Sequence, residues 1–364
     1  MRVKFSLLQA KKADLNNVID YLIENYFSAK AHKEREREWR MRSSSISVII
    51  ATLLVTIIVA LLSSTTTVVV VDAKQQHSNN NNRGIRLKIN DGDDIVSPPP
   101  ANPAFQMDRA YAHLMYSYSS YCDNDVVSNW TCPYCINQYI PHLDVTQLLI
   151  HDRTNTFGFI GISQNNTIVI AFRGTEGPNL ANWITNLNIA KLAPYPGFPS
   201  AMVHAGFLDA YGHVQDQVET GITAALEKCP QCDKFIATGH SLGGALAVLA
   251  VADVYPRLIN LPIEMYTFGS PRVGNVGFVE YFESVVLQSY WRLVNYHDVV
   301  PHLPSKWMNF YHLPVEVWFN NSADPLEYKM CNGSGEDPTC SDSLLVALNI
   351  PNHLDYLQIE KALC

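Results

Sequence analysis

The chain has 364 residues, 47% of them hydrophobic and 16% charged, enough apolar side chain for a sizeable core in one large domain or two small ones. Its formal charge of −8 is unevenly spread: ten Lys and Arg against six Asp and Glu put residues 1–42 at +4, which leaves −12 for the rest. An acidic body without a basic patch gives phosphates no counterions to release, so nucleic acid is excluded as a partner class.

Residues 1–45 form a basic N-terminal segment that ends in the mixed-charge run Lys33 to Arg42. It reads as a cytosolic tail, or as sequence upstream of a true start at Met41. Residues 46–71 follow as an uncharged apolar stretch, continuous from Ile46 to Leu62 except for Ser47, Thr52 and Thr56 and resuming at Val68. Positive charge before this segment, without a comparable cluster after it, sends the remainder of the chain across a membrane. Two outcomes stand side by side: a retained signal-anchor helix, or a signal peptide removed near Ser63, Ser64 or Ala73. Residues 72–103 turn to Gln, Asn, Asp, Gly and Pro, including Asn79 to Asn82 and Pro98 to Pro100, a linker composition that buries too little apolar surface to order itself.

The folded domain is expected over residues 104–364 and opens on an amphipathic helix from Met107 to Tyr121. Two β-branched runs, Thr156 to Ile162 and Thr167 to Phe172, separated by Ser163-Gln164-Asn165-Asn166, read as a hairpin. Further strands are expected at Lys234 to Thr238, Glu264 to Phe268, Trp291 to Asn295 and Pro314 to Phe319. Helical periodicity marks Gly206 to Leu226 and Gly243 to Tyr255. Strands alternating with helices predict an α/β fold, a mostly parallel central sheet covered by helices on both faces. All eight cysteines lie in this domain, and Asn129, Asn165, Asn320 and Asn332 each begin an Asn-x-Ser/Thr acceptor. Together with the apolar segment they predict a disulfide-bonded glycoprotein of the secretory pathway, lumenal or extracellular.

Gly239-His240-Ser241-Leu242-Gly243 lies between the strand at 234–238 and the helix at 243–255. A Gly-rich turn around an inert serine is a common accident, but strand before and helix after are what a nucleophile elbow requires. Small neighbours then tolerate the strained serine, and Ser241 becomes the candidate nucleophile of an α/β-hydrolase. The helix it starts points its N-terminus at a developing oxyanion, with the Leu242 N–H free to donate.

From roughly Tyr111 to Leu357 the chain resembles the class 3 lipases, a family that includes filamentous-fungal triacylglycerol lipases and feruloyl esterases. Five matches, in order, carry the resemblance: Tyr121-Cys122 with Trp130-Thr131-Cys132; Phe172-Arg173-Gly174-Thr175; Val203-His204-Ala205-Gly206-Phe207; Gly239 to Ala245; and Asn295 to Pro301. In α/β-hydrolases the triad runs Ser, then Asp or Glu, then His. Asp298 follows the strand at 291–295, and the resemblance makes the Asp of this Asp-x-Val-Pro sequence the triad acid. His353, in a sequence similar to the family's His-Leu-x-Tyr, is the expected general base. His297 would point away from Asp298 on an extended backbone, His302 and His312 fall in the next loop, and His204 and His240 are read as structural.

The resemblance further implies Thr175 as a second oxyanion donor beside Leu242, and a lid directly after it. Leu180, Trp183, Ile184 and Leu187 recur at helical spacing on one face, as a lipid-facing lid would have them; an ordinary helix packed permanently on the core is the plainer alternative. The implied disulfides are Cys122 with Cys364, Cys132 with Cys135 and Cys331 with Cys340, leaving Cys229 with Cys232. Cys132-Pro133-Tyr134-Cys135 also has the look of a redox centre but lies outside the βαβ context that function needs, and the two Cys-x-x-Cys pairs could hold zinc, though nothing else in the chain demands it. The expectation is therefore a monomeric serine esterase without metal or organic cofactor, acting as a lipase on acyl-glycerol esters at a membrane or oil interface. A feruloyl-type or short-chain esterase is the alternative, and a catalytically silent hydrolase-fold binding protein is the rival from another class.

Overall fold

The computed structural model describes residues 104–364, apart from 186, 188, 287, 288, 321–323, 325, 345–348, 362 and 363. The basic segment 1–45, the apolar segment 46–71 and the linker 72–103 lie outside the described residues. Among the described residues no helix is long and apolar enough to cross a membrane.

In chain order the principal elements are α1 (Met107–Ser119), α2 (Asn124–Ser128), β1 (Leu143–His151), β2 (Thr156–Ser163), β3 (Thr167–Phe172) and α3 (Gly177–Thr185). Then come β4 (Lys191–Leu192), β5 (Val203–His204), α4 (Ala205–Gly212), α5 (Gln215–Lys228), β6 (Lys234–His240), α6 (Leu242–Val254), β7 (Ile263–Phe268), α7 (Val276–Val285) and β8 (Ser289–Asn295). β9 (Glu316–Phe319), β10 (Lys329–Met330) and the short α8 (Ile350–Leu354) complete the frame. One sheet of eight strands runs β1-β2-β3-β6-β7-β8-β9-β10, and its five central strands, β3 through β9, are parallel. The β2–β3 hairpin pairs Ser163 with Thr167, as the polar turn between the two apolar runs predicts.

Two apolar layers sandwich the sheet, and the strand alternation sorts side chains between them. Ile168, Ile170, Phe172, Phe235 and Ala237 face the core built with α4, α5, α6 and α7, while Val169, Ala171 and Ile236 face the core built with α1, Trp130 and Trp291. Helix α6 is apolar but for Asp253 and almost wholly buried, as a central helix of a large domain must be. The periodicity read as one helix over 206–226 is broken: α4 ends at Gly212 and α5 starts at Gln215, so the chain turns while the apolar rhythm continues.

The loop after β8 is tied to two ion pairs that water barely reaches: its Leu303 and Pro304 carbonyls accept from Arg272 and its His312 N–H donates to Glu336. Arg272 binds Glu336 through two nitrogens at 2.7 and 2.8 Å, and Arg292 on β8 meets Glu316 on β9 at 2.8 Å. Removing one partner of such a pair strands a buried charge, so these pairs fix the loop's path. The disulfides present are Cys122–Cys364, Cys132–Cys135 and Cys331–Cys340, the pairs the resemblance implies, and Cys229–Cys232, the pair left over.

Candidate active site

Ser241 sits between β6 and α6 with φ 60° and ψ −133°, a backbone strained for any residue with a Cβ. Its surroundings enforce this turn. The Ser241 N–H donates to the Phe268 carbonyl at 2.9 Å, and a side chain at Gly243 would run into the Phe172 carbonyl of β3. Substitution there would push α6 off the sheet and move the serine with it.

His353 reaches the same place from the far end of the chain. Asn349 caps α8 by accepting the Asn352 N–H at 2.9 Å, and Pro351 presets the first turn. Asn295, at the end of β8, donates through Nδ2 to the Asn352 carbonyl at 3.0 Å, tying this short helix to the strand that leads to Asp298. The His353 Nδ1–H faces both Asp298 oxygens, at 3.0 and 2.9 Å, which sets the tautomer and leaves the Nε2 lone pair for the nucleophile's proton. Ser241, Asp298 and His353 are each fully buried.

Ser241 Oγ and His353 Nε2 are not joined by a hydrogen bond, and neither atom is engaged by another described protein group. Two close approaches put them in one neighbourhood. The His240 ring, next to Ser241 in sequence, lies 4.5 Å from the His353 ring, and a Cβ at Gly269, the residue after Phe268, would fall 2.8 Å from His353 Nδ1 and 2.7 Å from Asp298 Oδ2. Catalytic hydrogen bonds commonly tighten only when substrate is bound.

Tyr356 and Tyr121, to which the sequence assigns no role, and His240, expected to be structural, brace this geometry. Tyr356 donates its hydroxyl to Asp298 Oδ2 at 2.6 Å, and burial followed by the Asp298 charge keeps that hydroxyl well above the ordinary tyrosine range and so protonated. Tyr121 accepts the Gly174 N–H at 3.0 Å and donates to His240 Nδ1 at 2.8 Å. His240 in turn donates Nε2–H to the His353 carbonyl at 2.6 Å; burial, then the His353 and Lys361 charges, hold it well below the usual histidine range and therefore neutral. Tyr356 and Tyr121 both stand inside matched motifs, which was the one signal available. Tyr356→Phe keeps the packed ring and deletes a bond to a charged group worth about 2 kcal/mol. We expect kcat on a soluble ester to fall about tenfold with KM unchanged, and steady-state kinetics of the purified variant measures both.

The end of β3 brings the expected second oxyanion donor beside the nucleophile. A Cβ at Gly174 would lie 2.8 Å from Ser241 Cβ, so Thr175, the next residue, borders the serine. Leu242 is the first residue of α6, where a backbone N–H has no intrahelical acceptor. Arg173 fastens this corner through Glu176 Oε1 at 3.0 Å and Asn155 Oδ1 at 2.7 Å.

Helix α3 packs Leu180 and its neighbours inward, beside the segments that follow Asp298 and lead to His353. Leu180, 2% exposed, packs on Val299 and Val300 just past Asp298, with Trp183, Ile184, Leu303, Ile350 and Leu354 around them. Trp183 also stacks on Phe207 at 6.1 Å. Leu187 departs from the expected pattern: the helix stops at Thr185, so Leu187 lies beyond it, although it too rests on the core.

The remaining histidines have other work. His204 caps α4 by accepting the Phe207 N–H at 3.2 Å, and His312 donates to the Pro301 carbonyl at 2.6 Å. The backbone at His297 is a turn, with Tyr296 at φ 43°, rather than the extended strand expected, and the His297 ring meets the Tyr296 ring edge to face. Asn129, Asn165, Asn320 and Asn332 are all exposed, as glycan acceptors must be.

Comparison with known proteins gives concordant results. The family described as Lipase (class 3) matches residues 169–308. A lipase of Rhizomucor miehei is 35% identical over 253 residues, covering 68% of this chain and 68% of that one. A secreted mono- and diacylglycerol lipase of Fusarium solani is 34% identical over 199 residues, covering 52% and 56%. A solved triacylglycerol lipase, whose catalytic centre is formed by a serine protease triad, superposes with a TM-score of 0.64 at 32% identity, covering 71% of this chain and 96% of that one.

Proposed function

Since the chain belongs to the class 3 lipase family and is a serine ester hydrolase, we propose that Ser241, His353 and Asp298 are its triad, Leu242 and Thr175 its oxyanion donors, and acyl-glycerol esters its substrates. The observation that carries this reading is a buried Asp298–His353 pair beside a strained, buried Ser241 at the head of a helix.

His353 Nε2 takes the Ser241 proton as Oγ attacks the ester carbonyl, and the new oxyanion is received by the two backbone N–H groups. Collapse of the tetrahedral intermediate expels the alcohol, which leaves with the proton returned by His353. A water activated by the same imidazole then cleaves the acyl-serine, releasing the acid and restoring Ser241. Asp298 holds the imidazole and stabilises its charged form throughout.

The substrate class follows from the cover. A fully buried nucleophile beneath an inward-facing apolar helix is out of reach in water, and a lipid surface offers that face a better partner. The catalytic domain is residues 104–364, carried into the secretory pathway by residues 46–71 and joined to them by the linker 72–103. The deciding experiment compares soluble short-chain, emulsified long-chain and feruloyl esters. A rate that jumps once long-chain substrate forms an interface supports the lipase reading; turnover of soluble or feruloyl esters alone replaces it with an esterase.

The lid makes its own prediction. Leu180→Ser removes roughly 2 kcal/mol of apolar burial from the closed arrangement, a shift of about thirtyfold towards the open one. Hydrolysis of a soluble ester without any interface is expected to rise about tenfold or more, and the ratio of emulsion rate to solution rate to shrink. An unchanged ratio would make α3 a fixed part of the core.

A further inference from the structure

Eleven large hydrophobic side chains are exposed among the described residues, and six of them, Ile189, Leu192, Phe198, Val276, Trp307 and Met308, belong to segments fastened to one another. β4 pairs with β5, Val203 of β5 bridges to Gly274, and Gly274 bridges to Tyr311. Lys191 closes the ribbon: its Nζ donates to the Met308 carbonyl at 2.7 Å and lies 4.1 Å over the Phe310 ring. Every strand of this ribbon leaves the same edge of the sheet as the catalytic residues. Ile189 to His204 follow β3, Gly274 to Val276 follow β7 and Lys306 to Tyr311 follow β8, as Ser241 follows β6 and Asp298 follows β8.

Trp307 is the extreme case, 98% exposed. Its position is built rather than frayed. Ser305 Oγ accepts the Trp307 N–H at 3.3 Å, the Met308 N–H reaches the Ser305 carbonyl at 2.9 Å, and Asn309 closes the turn in the left-handed region with its N–H on the Lys306 carbonyl at 2.8 Å. A tryptophan standing in water stabilises nothing in the fold, and single exposed apolar residues need no explanation, but a joined set does. An indole beside lysines suits the boundary between lipid headgroups and acyl chains, where the ring is buried and the ammonium groups stay wet. Lys306, its chain neighbour, is partly exposed and pairs with Asp342, and Lys191 donates to the carbonyl of the adjacent Met308, so the cations near the indole are held by protein partners at the same ribbon.

We propose that the apolar ribbon around Trp307 and Met308 is a permanent lipid-docking surface, separate from the lid, that seats the catalytic edge on a glycerolipid surface before the lid opens. This rests on the lipase reading above. The order of events follows from exposure: with the lid closed, Leu180 is 2% exposed while Trp307 is 98% exposed, so the ribbon meets lipid first.

The test uses the catalytic domain, residues 104–364 without the apolar segment 46–71, carrying Trp307→Ser and Met308→Ser together, with neutral phosphatidylcholine vesicles and a soluble short-chain ester. Partition onto vesicles is expected to fall at least about tenfold. Soluble-ester turnover is expected to stay within about twofold, which also reports that the variant folds. Emulsified long-chain ester is expected to be hydrolysed more slowly at low lipid and to recover as lipid saturates. Unchanged partition overturns the proposal, as does a loss of self-association in sedimentation without a loss of partition, which would assign the ribbon to a second copy of the chain. A wild-type chain that binds vesicles through Trp307 yet hydrolyses no ester would sink the lipase reading and leave the docking surface standing.

Discussion

Ser241→Ala is expected to lower ester hydrolysis by roughly a millionfold while the folded protein keeps its thermal stability. Both halves follow from the same atom. The Oγ has no partner among the described protein groups, so deleting it removes no structural bond and relieves a buried polar group of its isolation. The backbone that holds the residue at φ 60° is maintained by β3, α6 and the Phe268 carbonyl, none of which senses the hydroxyl. What is lost is the proposed nucleophile, and activity above background would then come only from the proposed oxyanion donors orienting a water. Turnover within tenfold of wild type, at equal melting temperature, would exclude Ser241 from the chemistry.

Asp298→Asn is expected to reduce kcat by about 10⁴-fold, and to lower stability where Ser241→Ala does not. Asp298 accepts from three donors at once: the Val300 N–H at 2.9 Å on Oδ1, the Tyr356 hydroxyl at 2.6 Å on Oδ2, and His353 Nδ1 between them. An amide has one oxygen for these three. If the oxygen stays with the fixed Val300 N–H, the new NH₂ lies towards Tyr356 and His353, where it repels Nδ1–H and favours the tautomer with its proton on Nε2. That imidazole cannot accept the proton of Ser241. Kinetics on a soluble ester together with a thermal melt separates the outcomes: loss of both rate and stability fits a buried acceptor of three bonds, whereas an unaltered rate would return Asp298 to the status of a turn residue.

The parts of the fold legible in sequence were those whose signal is local. The β2–β3 hairpin announces itself through two β-branched runs around a polar turn, and the elbow through glycines flanked by a strand and a helix that is apolar but for Asp253. Strand β1, Leu143 to His151, escaped because it lies at the sheet edge: Thr146 and Gln147 interrupt the alternation, and a register shift between Val145 and Gln147 breaks it again. The break between α4 and α5 escaped because the apolar rhythm runs across it. Helix α3 ends before Leu187 for the converse reason, since spacing predicts a face but not where the helix stops.

The site divides in the same way. Ser241, Asp298 and His353 were named from motif and chain order, while Tyr356, Tyr121, His240 and Asn295 act through bonds that exist only once distant segments meet. Tyr121 and His240 are separated by 119 residues and Asn295 and Asn352 by 57, distances over which no periodicity or composition carries information. Their effect is to join the nucleophile's strand, the oxyanion corner and the histidine's helix into one braced unit. Positioning of this kind is where much of the rate of such a site resides.

The measurement that bears most directly on a lid-covered Ser241 nucleophile is covalent labelling by an alkyl phosphonate ester. The modified residue is identified by peptide mass, and the labelling rate is followed in buffer and again with emulsified lipid present. The structure predicts a single adduct, on Ser241, formed slowly in buffer and many times faster once an interface is supplied. An adduct on another residue, or equal rates with and without lipid, would contradict it.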